Sequence, residues 1–239
     1  MIWILTLLSF LSISCEKKET NPPSQPLHYE LGIPFSASNM QNWLDYYNIP
    51  GLCMAVIEYD SIVWIKGYGF KDNDSKDRVN EKTIFQAASI SKPVATIAAM
   101  NVYNRYKINL DADINSYLSQ WKIPLNEYNS QNRTTIRQLL CHTGGTNVHG
   151  FAGYNVKKKI PSLLEILNGN GPANNSSIIV EYEPSSKYQY SGGGFEIIQL
   201  SLEEIYGKKF EEIAKEVLFD PLDMQMSSYY SPKQKDNTA

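Results

Sequence analysis

Residues 85–100, FQAASISKPVATIAAM, hold the decision on which the fold turns. Ser89 stands three residues before Lys92 and four before Pro93, and is either a helix cap or a nucleophile. Proline lacks an N–H and is tolerated only near a helix's first turn, so the helix that the apolar spacing predicts through Met100 and Tyr103 starts close to Ser89. At such a mouth the free N–H groups and the positive end of the helix dipole favour negative charge. Residues three apart share one face, which brings the Lys92 amine within reach of the Ser89 hydroxyl. Desolvation disfavours an ammonium, and an amine so poised can act as a general base toward Ser. Serine is equally a favoured cap, and ordinary residue usage yields about one Ser-x-x-Lys by chance in a chain of this length. A second copy, Ser14 to Lys17, stands near the N-terminus. The motif alone leaves both readings open.

The rest of the chain narrows the choice. With 239 residues and ordinary apolar and charged fractions, it can bury one sizeable core as a globular domain. A formal charge of -3 and no long run of Lys or Arg leave no electrostatic footprint for nucleic acid, so the expected ligand is a small molecule or a peptide-like one. His142 and His149 match no zinc spacing and no HExxH occurs, so neither a metal nor another cofactor is expected, and both histidines read as structural hydrogen-bonding residues. A Ser-His-Asp triad is disfavoured because no GxSxG elbow is present. Cys53 and Cys141 lie in apolar settings that suit buried free thiols.

Residues 1–14 are apolar and turn polar immediately after Cys15, which suits an export signal; roughly fourteen apolar residues are too few to span a bilayer as a helix. "SISC" resembles the lipobox of bacterial lipoproteins, although no Lys or Arg precedes the apolar run and Ser12 sits where that motif usually has Leu. The resemblance implies that Cys15 is the lipidated first residue of an exported, membrane-anchored protein of the cell envelope or periplasm. The alternative is a plain signal peptide with an incidental Cys. Residues 15–36, polar and dotted with Pro and Ser, form a tether ahead of a domain spanning 37–239.

Within that domain "SASNMQNWLDYYNIPG" reads as a short amphipathic helix, and "LCMAVIEYD" and "IVWIKGYGF" as two strands joined by a tight turn at Asp60 and Ser61. Further helices are expected in "TTIRQLLCHTGG", ending at Gly144 and Gly145, in "PSLLEILN", and in "GGGFEIIQLSLEEIYG" and "KKFEEIAKEVLFDPL".

Four stretches raise the odds for a nucleophile. "TTIRQLLCHTGGT" with "NVHGFAGY" is similar to the signature that follows the nucleophile helix of β-lactamase-related serine hydrolases. "YEPSSKYQYSGGGFEIIQ" resembles their second catalytic segment, where a Tyr precedes an Asn or Gly by two residues. "INLDADINSYL" and "VLFDPLDMQMSSY" match connecting segments in the right order. The ordered set, over roughly residues 37–231, is far more specific than any one motif. The chain is identified as a member of the β-lactamase and penicillin-binding-protein-like serine hydrolases of the class C and esterase branch.

The resemblance implies an α+β fold, an antiparallel sheet with flanking helices and a helical subdomain. It makes Ser89 the acylated nucleophile, Lys92 its activating partner and Tyr190 a phenol shared in the proton transfers. Gly192 takes the substrate-binding place where many relatives have an Asn. Its glycines either shape the pocket wall through close approach or form a loop before the helix. Substrates would be esters, amides, β-lactams or peptidoglycan-type peptides. A different class of function is a non-catalytic envelope protein that binds without hydrolysing. The family's third motif, KTG or HxG on a pocket-lining strand, is expected beyond Ala239 with the C-terminal strands of the sheet, so the chain reads as the front portion of a longer protein, a truncated hydrolase expected to be inactive by itself.

Overall fold

The computed structural model describes residues 40–229 apart from Ser75 and Val156, and the chain divides into two units, with the boundary in sequence between Asn48 and Ile49. The export signal, Cys15 and the tether lie outside the described residues. The described part of the first unit is the short helix α1, Met40–Tyr46, which buries Met40 and Leu44 one turn apart.

The second unit begins with the expected hairpin, β1 (Gly51–Glu58) paired antiparallel with β2 (Ser61–Gly69). The turn falls one residue earlier than expected. Tyr59 and Asp60 both take left-handed backbone (φ 49° and 60°), which matches the twist of a two-residue hairpin turn, and Ser61 already pairs with Glu58. A register shift after Val56 pairs Val56 with Trp64 but Ile57 with Ile62, leaving Val63 as the extra residue. The segment after the hairpin folds back on it: Val79 N–H donates to the Gly69 carbonyl at 3.1 Å. A Cβ at Gly67 would come within 2.3 Å of the Val79 carbonyl oxygen, so only glycine admits that approach.

The remaining elements are helical. α2 spans Ser91–Arg105, α3 Ile136–Leu140, α4 Leu163–Asn168, α5 Gly192–Tyr206 and α6 Phe210–Ala214, the last running on into a π-helical turn at Lys215–Phe219. α3 and α4 each start on a reciprocal cap, Thr135 with Gln138 and Ser162 with Glu165, and α4 stops at left-handed Gly169. α3 ends at Leu140 rather than at Gly144, because His142 takes the left-handed conformation (φ 59°) that the sequence reading reserved for glycine.

α5 lies at the middle of this unit, touched by α2, α3, α4 and α6. Its Ile197, Ile198 and Leu202 are buried with Ala98, Ala99 and Val102 of α2, whose small alanines let the two helices approach closely. Lower along the same pair, the buried Tyr103 hydroxyl meets Ser201 Oγ at 2.6 Å, giving a polar cross-link inside an otherwise apolar contact. A two-stranded antiparallel sheet beside these helices makes an α+β arrangement, as expected. Among the described residues, no helix is long and apolar enough to cross a membrane.

Candidate active site

Ser89 does not cap a helix. It sits in a single 3₁₀ turn, Ala88–Ile90, ahead of α2, and neither the turn nor α2 carries a side-chain cap. Its hydroxyl caps neither element, so the cap reading of the sequence falls away. Pro93 is the third residue of α2, where its missing N–H has no helical partner to lose. Just before Ser89, Ala88 adopts φ 45°, a left-handed conformation that costs a non-glycine residue on the order of 1 kcal/mol. Sequence reasoning missed this strain, because nothing in "QAASIS" marks an alanine for positive φ.

The structure brings the three expected side chains together. Lys92 Nζ donates to Ser89 Oγ at 3.3 Å and lies 5.0 Å from the centre of the Tyr190 ring and 5.9 Å from that of Phe195. Ser89 is exposed, whereas Lys92 and Tyr190 are half-buried. Burial works to raise the Tyr190 phenol's pKa and is the largest single influence. It is outweighed by hydrogen bonding to Lys92 and to Ser89 together with the Lys92 charge, so the phenol lies below its ordinary value. A phenol drawn down by a neighbouring ammonium is a competent proton acceptor for a serine hydroxyl.

Tyr190 reaches this place because the residue after it is locked. Ser191, 2% exposed, is the N-cap of α5 and accepts from Gly194 N–H at 3.0 Å. Its hydroxyl also accepts from Thr146 Oγ1 at 3.0 Å and donates to the Asn147 carbonyl at 2.7 Å. On the ring side, His142 packs tilted against Tyr190 with the ring centres 4.4 Å apart, and its Nδ1 accepts from Ser191 N–H at 3.2 Å. His149 Nδ1 contacts the Tyr190 carbonyl at 2.8 Å. Both histidines are hydrogen-bonded, as expected.

Gly192, Gly193 and Gly194 form the first turn of α5 rather than a loop before it, and none has positive φ. Close approach is their reason: a Cβ at 192 would lie 3.1 Å from the Phe151 ring, at 193 3.0 Å from the Asn147 carbonyl oxygen, and at 194 3.1 Å from Thr146 Oγ1. Cys53 is partly buried and Cys141, which caps the short α3, is exposed, so the expectation of two buried thiols fails at Cys141; both are free.

The site also holds a group that the sequence did not single out. Glu196, on the α5 turn that carries Phe195, has its carboxyl pushed up to about 7, by burial first and by Glu203 to a lesser degree, against the opposing pull of Lys92. No spacing rule marks it, since an acidic residue on an amphipathic helix reads as solvated surface.

Known proteins frame this geometry. Protein flp of Staphylococcus aureus (strain MRSA252) is 24% identical over 196 residues, covering 80% of this chain and 36% of that protein. Among solved structures, the octameric penicillin-binding protein homologue from Pyrococcus abyssi superposes with a TM-score of 0.68 at 20% identity, over 84% of this chain and 46% of that one. EstCE1, described as a hydrolase with promiscuous acyltransferase activity, gives 0.67 at 22% identity, over 84% and 54%. The chain thus spans about half or less of the length of the proteins it resembles. The family model described as Beta-lactamase matches residues 37–239. With Ser89, Lys92 and Tyr190 brought together on that fold, the chain belongs to the beta-lactamase family of serine-hydrolase folds.

Proposed function

We propose that this protein is an exported serine hydrolase that works through an acyl-enzyme on Ser89. The contact that carries the reading is the 3.3 Å approach of Lys92 to Ser89 beneath a Tyr190 phenol of lowered pKa. Tyr190, as phenolate beside the Lys92 ammonium, takes the Ser89 proton while Oγ bonds to the substrate carbonyl carbon. The same proton then passes to the departing alcohol or amine. Water adds to the acyl-enzyme with Tyr190 again accepting its proton; the acyl–Oγ bond then breaks as Tyr190 returns that proton to Ser89 Oγ, which restores the phenolate. The N–H of Ser89, in the 3₁₀ turn that leads into α2, serves as one donor to the developing oxyanion.

Esters, amides, β-lactams and peptidoglycan-type peptides share the carbonyl this chemistry needs. Esters come first here: Gly192 offers no side-chain amide, and the Phe151 ring occupies the space into which a side chain at 192 would grow. Cys15 lipidation would hold the protein at a membrane surface. Labelling with a fluorescent fluorophosphonate and with a fluorescent penicillin, read on a gel, tests the assignment. Labelling of the wild type that vanishes in Ser89→Ala supports it. Persistent labelling of Ser89→Ala, or none of the wild type by either probe, refutes it in favour of a binding protein.

A further inference from the structure

His142 brackets Tyr190 along the main chain. Its carbonyl accepts from Gln189 N–H at 2.8 Å and its Nδ1 accepts from Ser191 N–H at 3.2 Å, so one residue fixes the amides on both sides of the tyrosine. Its ring lies 4.4 Å from the Tyr190 ring with the planes 35° apart, and Tyr188 and Phe195 close the remaining approaches at 5.9 and 5.4 Å. An amide N–H needs a lone pair, so Nδ1 carries no proton and the neutral ring bears its hydrogen on Nε2.

We propose that His142 is the positioning residue for Tyr190: its neutral imidazole clamps residues 189–191 and sets the phenol over Lys92, and protonation of the ring releases the clamp. The inference rests on Tyr190 taking part in the reaction. The groups that face the ring are Lys92 from α2, Tyr188 and Tyr190 from the segment before α5, and the uncharged Phe195 from α5. Burial, and then the Lys92 charge, keep His142 below the ordinary imidazole range, so the ring is neutral at pH 7. An imidazolium has no lone pair to offer Ser191, and it would set a second cation beside Lys92.

Two substitutions separate the parts. His142→Asn keeps an acceptor on a residue that tolerates φ 59° but cannot titrate. His142→Phe keeps a flat ring and removes the acceptor. Hydrolysis of p-nitrophenyl acetate is measured from about pH 5 to pH 8, with the folded fraction followed by circular dichroism. His142→Phe should lose about a hundredfold in kcat at unchanged KM, the effect of a misplacement of about 1 Å. His142→Asn should keep kcat within about tenfold at the upper end and lose the imidazole's part of the wild type's acid limb, leaving the part set by the Tyr190 phenol. A wild-type kcat in His142→Phe, or an unaltered acid limb in His142→Asn, overturns the proposal. Nitrogen NMR of the histidine-labelled wild type reads the clamp without turnover or a variant that must fold: a proton on Nδ1 at neutral pH refutes it. If the wild type neither turns over nor takes the fluorophosphonate, the catalytic reading fails, while the tautomer still reports on the clamp.

Discussion

Replacing Ser191 by Ala removes the hydroxyl that joins α5 to the loop after α3. Its loss takes away the helix cap on Gly194 N–H, worth about 1 kcal/mol. It also strips the Asn147 carbonyl of a 2.7 Å donor in a site only 2% exposed, and an unsatisfied buried acceptor costs about 1–3 kcal/mol. Thr146 Oγ1 loses its acceptor as well, although its hydroxyl can rotate. The sum is about 2–4 kcal/mol, which for a domain of this size lowers Tm by about 5–15 °C. Differential scanning calorimetry and urea denaturation measure it. Thr146→Val, which removes the 3.0 Å bond from the other side, should cost about 1 kcal/mol. Because the two share that bond, the double variant should cost less than the two added together. A Tm shift below about 2 °C in Ser191→Ala, or strict additivity, would refute the claim that this hydroxyl ties the two elements together.

Ser89→Ala and Lys92→Ala should each abolish nearly all turnover, and the double variant should be little worse, as expected of groups acting as one unit; additive losses in a kinetic comparison would separate them. Tyr190→Phe should be strongly impaired at an unchanged Tm, and a collapsed Tm would assign the tyrosine to packing instead. Glu196 has a folded-state pKa raised to about 7, so its contribution is fully present below the unfolded carboxyl pKa of 4.5 and is lost as pH rises through the folded value. Glu196→Gln should therefore gain stability over the wild type on going from pH 4.5 to pH 8, by at most about 3 kcal/mol since the side chain keeps some solvent contact; equal stability curves by urea titration would count against it. Gly145→Ala should fold poorly, because φ is 76° and the added Cβ would lie 2.0 Å from the Tyr182 carbonyl oxygen; thermal unfolding at the wild-type temperature would contradict this. Cys15→Ser should release the protein from a membrane fraction or block its processing, and an already soluble wild type with an intact start would exclude the anchor.

That Ser89, Lys92 and Tyr190 would come together was legible in the sequence because it needs only residue types in a fixed order, and the helices beside them follow from apolar spacing and from the place of Pro93. The backbone geometry that brings them together was not. Local propensity assigns left-handed backbone to Gly or Asn, yet here the residue before Ser89 is Ala88 at φ 45° and the residue behind the Tyr190 phenol is His142 at φ 59°. Each must be held there by tertiary contacts, at a cost on the order of 1 kcal/mol. For His142 those contacts are visible: two amides and three aromatic rings converge on it. The same convergence explains why α3 stops at Leu140 while its sequence continues to Gly144: another helical turn would carry His142 away from the amides of Gln189 and Ser191. The early stop of that helix and the placing of the tyrosine are one structural event, and a propensity reading could see neither because the contact joins residues about fifty positions apart.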